Sequence, residues 1–305
     1  MGTKLTDYAS GVMVRALCDS LCFQPDVAED IITCLSELDL AAFDPYFEGL
    51  FSISTGDAAV KAILSLCETE GDAAGSRGLK ALSIYLAAAL HTRELYEGLG
   101  IGDRVYLDTM KGFRRFMIEY KYRNGGYGFD DDFWIYRQLS AKLFRLGILE
   151  FELLILPEDF GEVGGARAGD PVLSVHIPSD AVMTREALDE SYCTARVFFA
   201  QYFPEFLYKC VYCGTWLLSP VLEGLLKPAS HIRNFRSDYV ITFVNVDDNS
   251  GARWLFPKGM EDLSEQPGDS SLTRAMKRHL LLGGKIGVGA GYVKNFQEKS
   301  MLTVK

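Results

Sequence analysis

The sequence predicts an α+β protein, in which an all-helical N-terminal domain precedes a domain with a mixed β-sheet covered by helices. The first hundred residues carry apolar side chains at helical spacing. After about residue 125, short strand-like apolar segments alternate with helical ones. A chain of 305 residues is also long enough for two domains of ordinary size. We therefore place the helical domain at residues 1–125 and the mixed-sheet domain at residues 126–305.

Apolar periodicity and glycines define the helical segments of the first domain. Val27, Ile31 and Leu35 recur on one helix face, and further helical patterns cover residues 76–99 and 103–123, each ended by glycines. The most apolar stretch, Leu82–Leu90, has about half of the roughly 20 residues that a membrane helix needs. The first ten residues lack the basic and apolar regions of a secretion signal.

The second domain reads as helix, strand, hairpin, strand, helix, strand, helix and further strands. Such an order predicts helices covering a mixed sheet. The predicted segments are a helix at 133–144, a strand at 148–156, a hairpin connection at 158–170, a strand at 172–177, a helix at 184–202, strands at 208–218, 239–246 and 253–256, a helix at 271–282 and a strand at 285–293.

Charge and cysteine usage limit the classes of partner. The net charge is −10, and residues 1–100 carry 6 basic and 15 acidic side chains. An acidic chain without a basic stripe argues against nucleic acid and anionic membranes as main partners. The seven scattered cysteines are an odd number, which favours a reduced, cytoplasmic protein over a disulfide-linked one. A homodimer is compatible with the sequence.

Five segments of the second domain resemble a known family. They are FRLGILEFELL at 144–154, VHIPSDAVMTREALDES at 175–191, CGTWLLSPVLEGLL at 213–226, SHIRNF at 230–235 and SLTRAMKRHLLLGG at 271–284. The chain resembles bacterial acyltransferase-domain proteins, which combine a helical N-acyltransferase N-terminal domain with a GNAT-like C-terminal domain. The resemblance implies an N-acyltransferase that moves an acyl group from acyl-CoA or acetyl-CoA to an amine acceptor. It also implies a splayed pair of strands that admits the pantetheine arm, and no metal.

The resemblance assigns a donor site to the strand at 172–177, the following helix and the strand at 208–218. The implied donor-binding residues are Val175, Ile177, Ser179, Thr184, Arg185, Tyr212, Gly214 and Trp216. One departure concerns the diphosphate of CoA, for which enzymes of this fold use a glycine-rich loop. The corresponding stretch, residues 178–186, contains no glycine and includes Asp180 and Glu186, whose charges would repel a diphosphate. Only Arg185 and the helix N-terminus near Thr184 would attract it.

Four residues are candidates for catalysis. His176 on the proposed central strand could take an amine proton near neutral pH, although a hydrogen-bonded structural histidine is an alternative. Glu150 and Glu152 share one strand face and could bind or deprotonate an amine, or could lie on a hydrated face. Tyr239 could protonate the leaving thiolate, as a tyrosine does in enzymes of this fold, or could belong to the core.

Two further patterns are better explained by packing. Cys210 and Cys213 have the CxxC spacing, but no second ligand pair is nearby, and on a strand the two side chains point to opposite faces. The glycine-rich residues 283–291 follow a helix rather than open one, so we expect packing under a helix instead of a phosphate loop, with close approach of a ligand to the bare backbone as the alternative.

Three functions therefore remain open. The first is acyl transfer to an amine, with the acidic helical domain forming one wall of a site for a cationic acceptor. The second is a non-catalytic small-molecule-binding protein that retains the GNAT-like fold, which the missing glycine loop favours. The third is an interaction module in which the helical domain presents an exposed apolar patch to a partner.

Overall fold

The computed structural model describes residues 2–68, 74–157, 161–256, 259–260, 263–264 and 270–298, with the backbone alone for residues 74–76. The chain divides into two compact units, the first ending at Arg145 and the second beginning at Leu146. The predicted hairpin connection at 158–170 lies partly outside the described residues.

Helices build the first unit. They are α1 (Gly11–Ser20), α2 (Pro25–Glu37), α3 (Asp44–Phe47), α4 (Gly56–Cys67), α5 (Ala74–Gly98), α6 (Asp103–Asn124) and α7 (Asp132–Leu139). Helix α6 ends at Gly125, whose φ of +81° is a left-handed conformation that glycine adopts without strain. The first unit includes α7, whereas the sequence placed the domain boundary before this helix.

Helix α5 lies at the centre of the helical unit. Residues 81–89 are all buried, and α5 packs against α1, α2, α4, α6 and α7. Two buried hydrogen bonds join it to neighbouring helices: Ser83 Oγ donates to the Ile31 carbonyl of α2 at 3.0 Å, and Tyr106 OH of α6 donates to the Ala89 carbonyl at 2.8 Å. The apolar stretch at Leu82–Leu90 is therefore a core helix. No described helix is long and apolar enough to cross a membrane.

The second unit is organised by a mixed six-stranded sheet with the order β1-β2-β3-β4-β6-β5. The strands are β1 (Leu143–Leu146), β2 (Leu149–Ile155), β3 (Pro171–His176), β4 (Val211–Thr215), β5 (Tyr239–Asn245) and β6 (Val288–Val293). Strands β3 and β4 pair in parallel, while the pairs β2–β3, β4–β6 and β5–β6 are antiparallel. The helices are α8 (Arg185–Tyr202), α9 (Leu222–Leu225), α10 (His231–Ser237), α11 (Ala252–Leu255) and α12 (Ser271–Leu281). The predicted α+β class is confirmed.

Three predicted elements were wrong in part. The helix expected at 133–144 ends at Leu139, and residues 143–146 form β1 after a turn in which Ala141 has a φ of +51°. Residues 253–256 are not a strand, because residues 252–255 form the four-residue helix α11. The strand expected at 208–218 is limited to β4, because Thr215 Oγ1 accepts from Leu217 N and starts a 3-10 turn.

The two faces of the sheet have different covers. On one face, Phe151 of β2 contacts the rings of Tyr192 and Phe199 of α8, each with 6.4 Å between centroids. On the other face, the connection between β2 and β3 packs onto the sheet. That cluster consists of Leu156, Val163, Ala166, Val172, Tyr212 and Ala290. Beyond this cluster, polar side chains occupy the end of the same face near His176.

Glycines in β6 allow close backbone packing. A Cβ atom on Gly289 would lie 2.5 Å from the Leu218 carbonyl oxygen, and one on Gly291 would lie 2.2 Å from the Val240 carbonyl oxygen. Neighbouring backbone therefore occupies the space that side chains would need. The neighbouring backbone belongs to the 3-10 turn after β4 and to β5, so a turn and a strand, not a covering α-helix, pack against these glycines.

Candidate active site

The parallel pair β3–β4 separates before its strands end. Leu173 lies opposite Val211 and Ser174 lies opposite Tyr212, and the register stops there. Beyond this point β4 continues its pairing with β6, where Gly214 lies opposite Ala290. The central strands of the sheet therefore open into a wedge next to Val175 and His176, where the sequence predicted a gap.

His176 and Glu152 form a hydrogen-bonded pair at the open end of this wedge. His176 Nε2 lies 2.9 Å from Glu152 Oε2. An ionised carboxylate only accepts hydrogen bonds, so the ring nitrogen carries the proton and donates it to Glu152. The Glu152 side chain is 4% exposed and that of His176 is 24% exposed. The carboxylate thus holds the ring from inside the protein while the ring keeps access to solvent.

The register between β2 and β3 explains why these residues meet. Glu150 lies opposite His176, and Glu152 lies opposite Ser174. Directly opposed residues point to the same face, so all four side chains share the face that α8 does not cover. Glu150 is also buried, with 2% exposed. Two buried carboxylates around one imidazole make this site favourable for a cation.

The α8 N-terminus follows β3 after a short loop. Thr184 is the N-cap residue, and its Oγ1 accepts from Ala187 N at 3.2 Å. The N–H groups at the start of a helix have no intrahelical partner and face the positive end of the helix dipole. Ser179 is exposed on the loop before it, and Ile177 is half-buried just after β3. These positions agree with the predicted segment for binding an anion.

Arg185 is committed to carboxylates of its own unit. It donates to both oxygens of Asp189 at 2.9 and 2.7 Å and to both oxygens of Asp238 at 2.9 Å. Burial acts to lower the pKa of its guanidinium, but the bonds to Asp238 and Asp189 outweigh burial and raise it. Arg185 therefore remains charged and fastens α8 to the segment before β5. The sequence analysis predicted that Arg185 would attract a diphosphate, whereas in the structure its guanidinium binds these two aspartates.

The other predicted residues are divided between the two faces of the sheet. By strand alternation Tyr212 and Gly214 share the face of His176, and Gly214 is exposed. Trp216 lies in the 3-10 turn after β4, not on the strand. Tyr239 is on the α8 side, where it is buried and accepts from Tyr192 OH at 3.4 Å.

Buried hydroxyl and thiol groups line the α8 side of the wedge. Burial raises the pKa of Tyr239 and of Tyr192 well above 10, so both phenols are neutral at physiological pH. Burial likewise raises the pKa of Cys213 far above its ordinary value, and a hydrogen bond with Tyr239 only partly offsets it. Cys213 Sγ donates to the Val175 carbonyl at 3.2 Å. This contact was not predicted, because a Cys–carbonyl bond across two strands leaves no pattern in the sequence.

Asp238 and Asp189 are also functional neighbours that the sequence analysis missed. The spacing from Arg185 to Asp189 is four residues along a helix, which is a recognisable signal for an ion pair. Asp238 is far away in the sequence, and only the fold brings it to Arg185. Among the described residues, no cluster of His, Cys, Asp and Glu has the composition of a metal site. All seven cysteines are free thiols.

Comparison with solved structures gives the same fold as several acyltransferases. One is an acyltransferase mutant in complex with octanoyl-CoA, with a TM-score of 0.74, 22% identity and coverage of 92% of this chain and 88% of that one. Another is an acyltransferase in complex with decanoyl-CoA and teicoplanin, with a TM-score of 0.71, 24% identity and the same coverage. The comparison with curated proteins gives no match.

Two protein families account for nearly the whole chain. Residues 13–141 match the N-acyltransferase N-terminal domain, and residues 143–293 match the GNAT-like C-terminal domain. The junction between the two matches lies close to the division between the two compact units. The chain belongs to the acyltransferase-domain family that combines an N-acyltransferase N-terminal domain with a GNAT-like C-terminal domain.

Proposed function

We propose that this protein transfers an acyl group from an acyl-CoA to an amine. The observation that carries the proposal is the wedge between β3 and β4, which opens where His176 and Glu152 lie. Membership of the family supports acyl transfer, and the solved structures of the same fold hold octanoyl-CoA and decanoyl-CoA.

In this proposal the pantetheine arm of the donor enters the wedge. The wedge begins beyond Ser174 and Tyr212, the last paired residues, so Val175 borders it, and exposed Gly214 leaves room beside the open end. The diphosphate lies near the N-terminus of α8, where the first backbone N–H groups of the helix, beginning at Arg185, supply donors. Because Arg185 is held by Asp189 and Asp238, backbone donors rather than its guanidinium would carry this contact.

The pair His176–Glu152 then supplies the base. Because Nε2 donates to Glu152, the ring is held in the tautomer whose Nδ1 carries the lone pair that accepts a proton. An acceptor that arrives as an ammonium ion first loses one proton to solvent. The neutral amine nitrogen then attacks the thioester carbonyl carbon, the new C–N bond forms, and the C–S bond breaks. The proton lost by the nitrogen passes to Nδ1, and the thiolate of CoA takes a proton from solvent. The buried Glu152 stabilises the imidazolium formed in this step.

Glu150 favours a cationic acceptor. It lies opposite His176 on the same sheet face and is buried, so an ammonium group approaching His176 would meet two carboxylates. Tyr239 has no part in this scheme, because its hydroxyl bonds to Tyr192 on the other side of the sheet. An amine acceptor also agrees with the family name.

The test has a binding step and a transfer step. Titration calorimetry with acetyl-, octanoyl- and decanoyl-CoA measures donor binding. Release of the CoA thiol in the presence of primary amines, with teicoplanin among them because one structural neighbour holds it, measures transfer. We expect binding of at least one acyl-CoA and amine-dependent thiol release. Absence of heat and of a thermal shift with every acyl-CoA would overturn the proposal.

One observation favours the non-catalytic alternative, a small-molecule-binding protein. The loop before α8 has no glycine and its arginine is already paired, so the site has few groups dedicated to a diphosphate. This alternative predicts that an acyl-CoA or another small molecule binds without amine-dependent thiol release, and that His176→Ala leaves that binding unchanged.

A further inference from the structure

The thiol of Cys213 reaches across the open end of the wedge. The register of β3 and β4 ends at Ser174 and Tyr212, one step before Val175 and Cys213 would pair. At that step the Cys213 Sγ donates to the Val175 carbonyl oxygen at 3.2 Å. A side chain therefore supplies a hydrogen bond at the place where the backbone ladder stops.

Ladder geometry shows what this thiol replaces. In a parallel pair, the carbonyl of Val175 would accept from the backbone N–H of Gly214 if the register continued. A buried carbonyl without a partner is unfavourable, and Val175 is only 2% exposed. A thiol is a weak donor compared with a backbone amide. The Val175 carbonyl at the wedge is thus held by an interaction that a better donor can displace.

The environment of Cys213 keeps the thiol neutral. Its side chain is fully buried, and burial raises its pKa far above the ordinary value. The neutral S–H can donate a hydrogen bond but does not act as a thiolate nucleophile. A hydrogen bond with Tyr239 acts to lower the pKa of the thiol, and the Tyr239 hydroxyl accepts from Tyr192 OH at 3.4 Å. The thiol therefore has a second partner when it leaves the carbonyl.

We propose that the Cys213 thiol is a displaceable donor that occupies the Val175 carbonyl until an acyl-CoA enters the wedge. The pantetheine arm carries amide N–H groups, and one of them takes the carbonyl while the thiol turns to Tyr239. Cys213 is a positioning residue in this proposal. It influences the affinity for acyl-CoA, because the hydrogen bond from its thiol to the Val175 carbonyl must break before the pantetheine amide can bind there. The inference rests on the proposed function.

Three variants measured by titration calorimetry with octanoyl-CoA test this role. Cys213→Ala removes the competing donor, and we expect roughly two- to five-fold tighter binding. Cys213→Ser replaces the thiol with a stronger donor of similar size, and we expect binding weaker by a similar factor. Cys210→Ala is the matched control, because that thiol donates to the Val163 carbonyl at 3.4 Å away from the wedge. Its affinity should equal that of the wild type.

Infrared spectroscopy of the S–H stretch provides a test that needs no stable variant. Octanoyl-CoA carries no free thiol, so any S–H band that changes on its addition belongs to the protein. We expect one band to shift, and the shift to be absent in Cys213→Ser.

The outcomes separate the two proposals. If the wild type binds octanoyl-CoA and both Cys213→Ala and Cys213→Ser bind it with the same affinity, the role of Cys213 is overturned. The same holds if no S–H band changes on binding. Either result leaves the proposed acyl transfer standing. If the wild type binds no acyl-CoA at all, the proposed function fails, and the role of Cys213 fails with it.

Discussion

Each unit of the molecule buries a carboxylate beside a titratable ring, and the two sites differ in what surrounds them. Glu152 in the sheet unit is 3% exposed and pairs with His176 at the open wedge. Asp132 in the helical unit is 5% exposed and lies close to Tyr85 and Arg77. The two carboxylates are therefore buried to nearly the same extent. What distinguishes Glu152 is a hydrogen-bonded imidazole partner that reaches solvent.

The environment of Asp132 is that of a core. Burial raises the pKa of this carboxyl from 3.8 to about 6, and Tyr85 and Arg77 only partly offset the effect. Tyr85 is itself fully buried, and burial raises the pKa of its phenol well above 10. A phenol that stays neutral cannot act as a base at physiological pH. A buried carboxylate with a shifted pKa is thus no sign of catalysis by itself.

The largest expected effect is on the ring at the wedge. His176→Gln removes the base, and we expect kcat to fall by roughly 10²- to 10⁴-fold, the usual contribution of general-base catalysis. Donor binding by calorimetry should change little, because the ring contacts the acceptor side of the reaction. His91→Gln is a matched control, since His91 Nδ1 also faces a carboxylate, Glu94, at 3.2 Å in the helical unit. Equal losses in both variants would contradict the assignment of the base.

The next effect concerns stability. The pKa of Asp132 is raised on folding, so its contribution to stability is fully present below about pH 4 and is lost as the pH rises toward 6. Asp132→Asn removes the charge and should stabilise the protein by about 1–3 kcal/mol at pH 7.5. Denaturant unfolding at pH 7.5 and pH 4 checks this result. The gain should vanish at pH 4, and a gain that is the same at both values would contradict the role of ionisation.

Local patterns in the sequence predicted much of the site. Helix α8 follows from apolar periodicity after Thr184, and its N-terminus lies where the sequence predicted it, with Thr184 as the N-cap residue. The shared face of Glu150 and Glu152 follows from strand alternation alone. The wedge followed from the family resemblance, since no local signal marks the residue at which two strands stop pairing.

The remaining features depend on long-range register and packing. The bond between His176 and Glu152 requires one particular register of β2 against β3, which a long connection leaves undetermined in the sequence. The sequence does not show that Arg185 is paired with Asp238, because these two residues are distant in the chain and only the fold brings them together. Strand β1 was assigned to a helix because its four residues continue an apolar pattern that does not distinguish the two structures.

The smallest of these effects is expected for the carboxylate of the catalytic pair. Glu152→Gln keeps an oxygen that can accept from His176 Nε2 but removes the charge that stabilises the imidazolium. We therefore expect a loss of kcat of about ten-fold, well below the loss from removing the ring, and a shift of the acidic limb of the pH–rate profile to lower pH. Asp132→Asn is its counterpart and should leave both the rate and the profile unchanged. If Glu152→Gln changes stability but neither kcat nor the pH–rate profile, the two buried carboxylates are equivalent, and Glu152 has only a structural role.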